Sequence, residues 1–174
     1  MPVRHEYILN LAEANPPADL CISAGVCLCV VSRADVPDLA ELMLDAYRNT
    51  IDYEGEEIAE AVVEMENYFT RASSHPAISQ YSLALGFGDS LVYACLLEFL
   101  PRQKTPFVGF VICRTDHKRK GFGTYALHHA IGKLKDAGYT ELRTIITEGN
   151  LPSETLFRRA GFKRVEPVVS APAP

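Results

Sequence analysis

"KRKGFGT" at residues 118–124 follows directly on the apolar stretch "FVGFVIC" (107–113) and opens the amphipathic stretch "GFGTYALHHAIGKLKDAG" (121–138). A strand that runs into a helix leaves the helix's first N–H groups unpaired and aimed at the connecting turn. Those groups, with the positive end of the helix dipole, attract anions, phosphates above all. Gly121 and Gly123 have no Cβ, so a bulky anion can approach the backbone. Lys118, Arg119 and Lys120 place positive charge there in a chain whose net charge is −5. The stretch therefore reads as a phosphate-holding turn. Its plain alternative is a tight glycine turn with three solvated cations.

Working outward, Phe122, Ala126, Leu127, Ala130 and Leu134 fall on one side of the helix, with Thr124, His128 and Lys135 on the other. Gly138 supplies a stop. "TELRTIIT" (140–147) follows as a strand, "PSETLFRRAG" (152–161) as a short helix with proline in its first turn, and "FKRVEPVV" (162–169) as a closing strand. Upstream, "YSLALGFG" (81–88), "SLVYACLLEFL" (90–100) and "PFVGFVICR" (106–114) are strands joined by short turns, which makes them antiparallel neighbours. Before them, apolar residues recur every three or four positions through Val36, Leu39, Ala40, Met43, Leu44 and Tyr47. They do so again through Ile58, Ala61, Val62, Met65, Tyr68 and Phe69. Two amphipathic helices follow. "VCLCVVS" (26–32) reads as a strand. The expected order is β-α-α-β-β-β-α-β-α-β, an α+β (mixed α/β) fold. Residues 1–25 are expected to be an N-terminal extension with a weakly helical start, 26–168 the folded domain, and 169–174 a fraying Pro/Ala-rich tail.

Composition narrows the classes. The chain has 174 residues, enough for one domain with a real core, and its 48% hydrophobic and 22% charged residues are those of a globular protein. Its acidic balance speaks against a general nucleic-acid or membrane binder. No apolar run reaches the roughly 20 residues of a membrane span, and the prolines and acids of the first 17 residues do not make a signal peptide. A cytoplasmic location is expected. The five cysteines, Cys21, Cys27, Cys29, Cys95 and Cys113, lack paired zinc-type spacing, which argues against a disulfide framework or a structural metal site. Cys27 and Cys29 lie on one face of a strand and Cys113 ends another apolar run; the cysteines are expected to be small buried core residues rather than nucleophiles.

Gly121-Phe-Gly123-Thr-Tyr-Ala126 also fits Gly-x-Gly-x-x-Ala, the dinucleotide fingerprint, with Glu148 ending the next strand. That fingerprint normally opens its domain, whereas about two thirds of this chain precedes it. Only one strand–helix–strand unit follows, and the strands before it form an antiparallel meander rather than parallel crossovers.

"TDHKRKGFGTYAL" together with "NLPSETLFRRAGF" (150–162) resembles the GNAT acyltransferase superfamily. That family's phosphate-binding motif is Arg/Gln-x-x-Gly-x-Gly/Ala; Lys118-Arg119-Lys120-Gly121-Phe122-Gly123 occupies it, with lysine in first place. Its later motif, Asn-x-x-Ala-x-x-Leu-Tyr followed by Gly-Phe, aligns with Asn150, Ser153, Leu156, Phe157, Gly161 and Phe162. The resemblance covers roughly 26–166. It implies a central, mostly antiparallel twisted sheet splayed at its middle strands and flanked by helices. It also implies acetyl-CoA as co-substrate and direct transfer of its acyl group to a primary amine of a small-molecule or peptide acceptor.

Carried over by position, the amides of Arg119, Lys120, Gly121, Phe122, Gly123 and Thr124 would take the pyrophosphate. The strand edge at Val111, Ile112 and Cys113 would pair with the pantetheine amides, as an extended chain suits a strand edge. Asn150 and Ser153 would meet that arm from the other side. Where many relatives have a tyrosine that protonates the departing thiolate, this chain has Phe157, which cannot donate a proton. That departure keeps a non-catalytic acyl-CoA sensor open as the alternative.

The amine must lose a proton before attack. Glu98, in "LLEFL", is the best single candidate to receive it, because apolar flanks raise a carboxylate's pKa; an outward-facing strand glutamate is the plain alternative. Tyr125, His128 and His129 are expected on solvated surface, and Glu148 and Asp116 look like turn or cap residues. Asp52, Glu54, Glu56 and Glu57 either attract a cationic amine or serve the start of the second helix. No metal is expected; a homodimer remains open.

Overall fold

A computed structural model describes residues 2–17, 21–48 and 50–166. In chain order these form strands β1 (Arg4–Asn10) and β2 (Val26–Cys29), then helices α1 (Val36–Tyr47), α2 (Ile58–Ser73) and α3 (Pro76–Ser79). Strands β3 (Leu83–Phe87), β4 (Ser90–Leu100) and β5 (Thr105–Cys113) follow. Helix α4 (Phe122–Asp136), strand β6 (Glu141–Thr147), helix α5 (Leu151–Arg159) and strand β7 (Lys163–Arg164) complete the fold. Single turns of 3₁₀ helix precede α1 and α4.

The strands make one sheet in the order β2-β3-β4-β5-β6-β1-β7. Every pairing is antiparallel except β5 with β6, which are parallel and joined only at Phe107↔Arg143 and Val108↔Thr144. Beyond Val108 the two strands part. The cause lies in β5 itself. Its register against β4 slips between Leu96↔Phe110 and Leu97↔Val108, leaving Gly109 as an extra residue. An unpaired residue bends its strand and increases the local twist.

β4 shows why both sheet faces are covered. Tyr93, Cys95 and Leu97 point into a core shared with α4, α5 and Tyr7, Leu9 and Leu11. The alternate residues Ala94 and Leu96 enter a second core with α1 and α2. A strand buried on both sides needs an unbroken apolar run, which is what residues 91–97 supply. α4 buries Phe122, Ala126, Leu127, Ala130, Ile131 and Leu134, close to the stripe expected from its period.

The N-terminal expectation is overturned. Arg4–Asn10 are neither helical nor appended: β1 pairs along seven residues with β6 and joins it to β7. Tyr7 and Leu9 are buried while Arg4 and Asn10 are exposed, so the segment follows a strand's period of two. The closing strand is shorter than expected, only Lys163–Arg164; the expected tail, and residues 167–169 of that strand, lie outside the described residues. The cysteine expectation holds for Cys95 alone. Cys21 and Cys27 are exposed, and Cys29 and Cys113 are half-buried. Among the described residues no helix is long and apolar enough to cross a membrane.

Candidate active site

The parting of β5 from β6 opens a cleft of about 1570 Å³ between the two halves of the sheet. At one end stands the head of α4. Gly121 is its N-cap at φ +83°, and Arg119, two residues earlier, has φ +63°. Alternating left-handed residues in a turn aim successive N–H groups inward and make an anion-binding concavity. Among the described residues, the amides of 119–124 donate to no backbone or side-chain acceptor; the first helical bond is Tyr125 N–H to Gly121 O at 3.0 Å. A Cβ on Gly121 would meet nothing within 4 Å, so the space before the turn is open. Gly123 has another reason to be glycine: a Cβ there would come within 3.2 Å of Leu156 on α5 and 3.4 Å of the Tyr93 hydroxyl. The turn is braced by Lys118, whose Nζ donates to Ala46 O near the end of α1 at 3.2 Å.

Of the residues expected to hold the coenzyme, Val111, Cys113, Lys118, Arg119, Gly121, Phe122, Gly123, Thr124, Asn150, Ser153 and Phe157 all line the cleft. Ile112 and Lys120 do not. Ile112 is fully buried in the α1/α2 core, because alternation along β5 turns it away, and Lys120 is exposed. Asn150 caps α5, accepting from Ser153 N–H at 3.1 Å, while its Nδ2 donates to Asp52. That bond ties the α1–α2 connection to the head of α5 across the cleft. Phe157 is buried, edge-on to Phe162 at 5.0 Å.

Acids belong to the cleft as well: Glu98, Asp52, Glu54 and Glu56 line it. Glu57 does not line it; its N–H is held by the Glu60 carboxylate at 2.9 Å, so for this one acid the helix-start reading applies. Glu98 sits over the bulge: a Cβ on Gly109 would stand 2.5 Å from its Oε1. The apolar surroundings expected for Glu98 are corrected by Arg71. This residue of α2 donates Nε–H to Oε2 at 2.6 Å and Nη2–H to Oε1 at 3.1 Å, and also reaches Glu64 at 3.3 Å. The Glu98 carboxylate is the first cause of the raised pKa of Arg71. A carboxylate offers about four lone-pair sites, so two remain for a substrate proton.

His128 and His129 are half-buried rather than surface residues, and burial lowers both pKa values; neither lines the cleft. Glu148 pairs with His5 at 3.6 Å and Asp116 with His117 at 2.7 Å.

Three cleft residues escaped the sequence reading. Tyr47 closes the apolar stripe of α1 and so resembles a core residue. It lines the cleft, and burial followed by the charge of Asp52 holds its phenol protonated well above the usual range. Arg71 carried no local signal, because its partner lies 27 residues away. Gly109 did carry one: a lone glycine inside a strand marks a bulge or a close approach.

A cleft with a nest of free amides, an exposed strand edge along its side and acids in its lining suits an extended, phosphate-bearing ligand. The family model for the acetyltransferase (GNAT) family matches residues 50–162, and the chain belongs to that family. Its fold is that of a GCN5-related N-acetyltransferase from Sphaerobacter thermophilus (TM-score 0.68, 19% identity, 95% of this chain and 50% of that one). It is likewise that of the PaiA N-acetyltransferase from Thermoplasma acidophilum in complex with coenzyme A (0.63, 18%, 79% and 89%). A Salmonella typhimurium structure with its cofactor acetyl-CoA is similar too (0.61, 16%, 80% and 80%). The chain spans about half the length of the Sphaerobacter protein. No curated protein matches it in sequence.

Proposed function

We propose that the chain is an N-acetyltransferase that moves the acetyl group of acetyl-CoA directly to a primary amine. The observation that carries this reading is the set of free amides at 119–124, opening on a cleft whose wall is the unpaired edge of β5. Those residues fit the coenzyme: the nest suits its diphosphate, and Val111 and Cys113 offer strand backbone to its amide-bearing arm. When bound, acetyl-CoA supplies an activated acyl thioester. The protein's part is to hold and orient. Gly109 bends β5 away from β6, Asn150 and Asp52 close the far side, and the acidic mouth draws a cationic amine. Glu98, positioned by Arg71 over the bulge, receives the proton the amine loses. Phe157 donates none, so the departing thiolate relies on solvent or on another hydroxyl in the cleft.

Phe157 also favours a second reading, a non-catalytic acyl-CoA sensor. Free CoA thiol, measured over a broad panel of amines, separates the two. Release with one acceptor class supports catalysis; tight CoA binding with silence across the panel supports the sensor.

A further inference from the structure

β2 is one of the two edge strands of the sheet, and its Cys27 and Cys29 present both thiols on one face, with the sulfurs 3.8 Å apart. A free thiol is usually buried, as Cys95 is, yet Cys27 is exposed and Cys29 only half-buried. What lets them converge is an absence across the ladder. Cys27 pairs with Gly86 on β3, and a Cβ there would stand 3.1 Å from Cys27 Sγ and 3.2 Å from Cys29 Sγ. Any other residue at 86 would push the sulfurs apart. A glycine inside a strand costs stability and often marks a place where something approaches the backbone closely. Neither cysteine lines the cleft, so the coenzyme does not account for them.

Two thiols in contact at a surface can chelate or oxidise, and the strand geometry separates these outcomes. With thiolate–zinc bonds of about 2.3 Å, a 3.8 Å sulfur separation encloses about 110° at the metal, near the tetrahedral angle. A disulfide would need the sulfurs to close to about 2.05 Å, while an extended strand holds residues i and i+2 about 6.6 Å apart at Cα, near the wide limit for a bridge. We propose that Cys27 and Cys29, with Gly86 leaving the room, bind a soft, thiophilic d¹⁰ cation of the zinc class. Two S–H groups release their protons to solvent, two sulfur–metal bonds form, and the ion keeps its oxidation state. Among the described residues no third histidine, cysteine or carboxylate joins the pair, so solvent fills the remaining positions and the ion is exchangeable. The missing zinc-type spacing speaks against a closed four-ligand site, not against this open one. Because binding releases the thiol protons, uptake weakens as pH falls.

The test is a titration of the reduced full-length chain with Cd²⁺, read by thiolate-to-metal charge-transfer absorption and proton release, then displaced by Zn²⁺. One ion per chain and two protons per ion are expected. Cys27→Ser and Cys29→Ser each weaken binding more than about a hundredfold, beyond the loss of an outer-shell partner; Gly86→Ala weakens it as well, and Cys21→Ser leaves it unchanged. An unaltered melting temperature in the serine variants shows that the fold is intact. The proposal is overturned by a missing band at one equivalent, by a band that survives the double serine variant, or by both thiols going to a disulfide before any ion binds.

Discussion

Glu98 and Gly109 form one device although they sit on different strands. The glycine's missing side chain is the space the carboxylate occupies, with only 2.5 Å from a notional Cβ to Oε1. Arg71 then takes one lone pair of each oxygen and fixes its direction. Glu98→Gln keeps the shape and removes the proton acceptor, so kcat falls by about 10²-fold or more while the KM for acetyl-CoA holds. Gly109→Ala produces the same kinetic pattern by displacing Glu98. Steady-state kinetics of both variants check this, and an unchanged kcat in Glu98→Gln would remove the residue from the chemistry. The sequence singled out Glu98 but assigned it apolar neighbours, because a partner on a distant helix leaves no local trace.

At the scale of elements, the strand–turn–helix around Gly121 was legible because each part has a local cause: an apolar run, paired glycines and a 3.6-residue period. The parting of β5 and β6 came only through the family resemblance, although Gly109 marks it. Gly121→Ala tests the turn. Nothing within 4 Å obstructs a Cβ, but φ is +83°, so the substitution costs about 1–2 kcal/mol of backbone strain without a clash. The turn relaxes and coenzyme affinity drops by about tenfold, which calorimetric titration with CoA measures. Gly123→Ala differs in kind, because its Cβ would press on Leu156 at 3.2 Å; it loosens α4 from α5 and shows first as a lower melting temperature.

For the whole molecule, the missed element is instructive. "EYILNLAEA" carries apolar residues compatible with either a strand or a helix period, and what decides between them is the free edge of β6, far along the chain. Because β1 lies between β6 and β7 and buries Tyr7 and Leu9, deleting residues 1–10 abolishes cooperative thermal unfolding; an unaltered melt would restore the appendage. Alkaline stability is also a property of the whole core. Cys95 is completely buried, which pushes its thiol from 9.0 up to about 12. The folded state thus keeps a proton that the unfolded state gives up, so stability is full below about pH 9 and is lost as pH rises from 9 to 12. The loss is up to about 4 kcal/mol, at about 1.4 kcal/mol per pH unit. Denaturant melts at pH 8 and 11 show it, and Cys95→Val flattens that part of the dependence.

The central claim is that the main-chain amides of 119–124 hold the coenzyme's diphosphate. Amide chemical shifts of the isotope-labelled chain, followed during titration with CoA and separately with NAD(P), test it most directly. Large saturable shifts at Arg119 through Thr124 with CoA, and none with the dinucleotide, are expected. Amides at that turn which stay still while CoA binds elsewhere, or which move only for NAD(P), would contradict it.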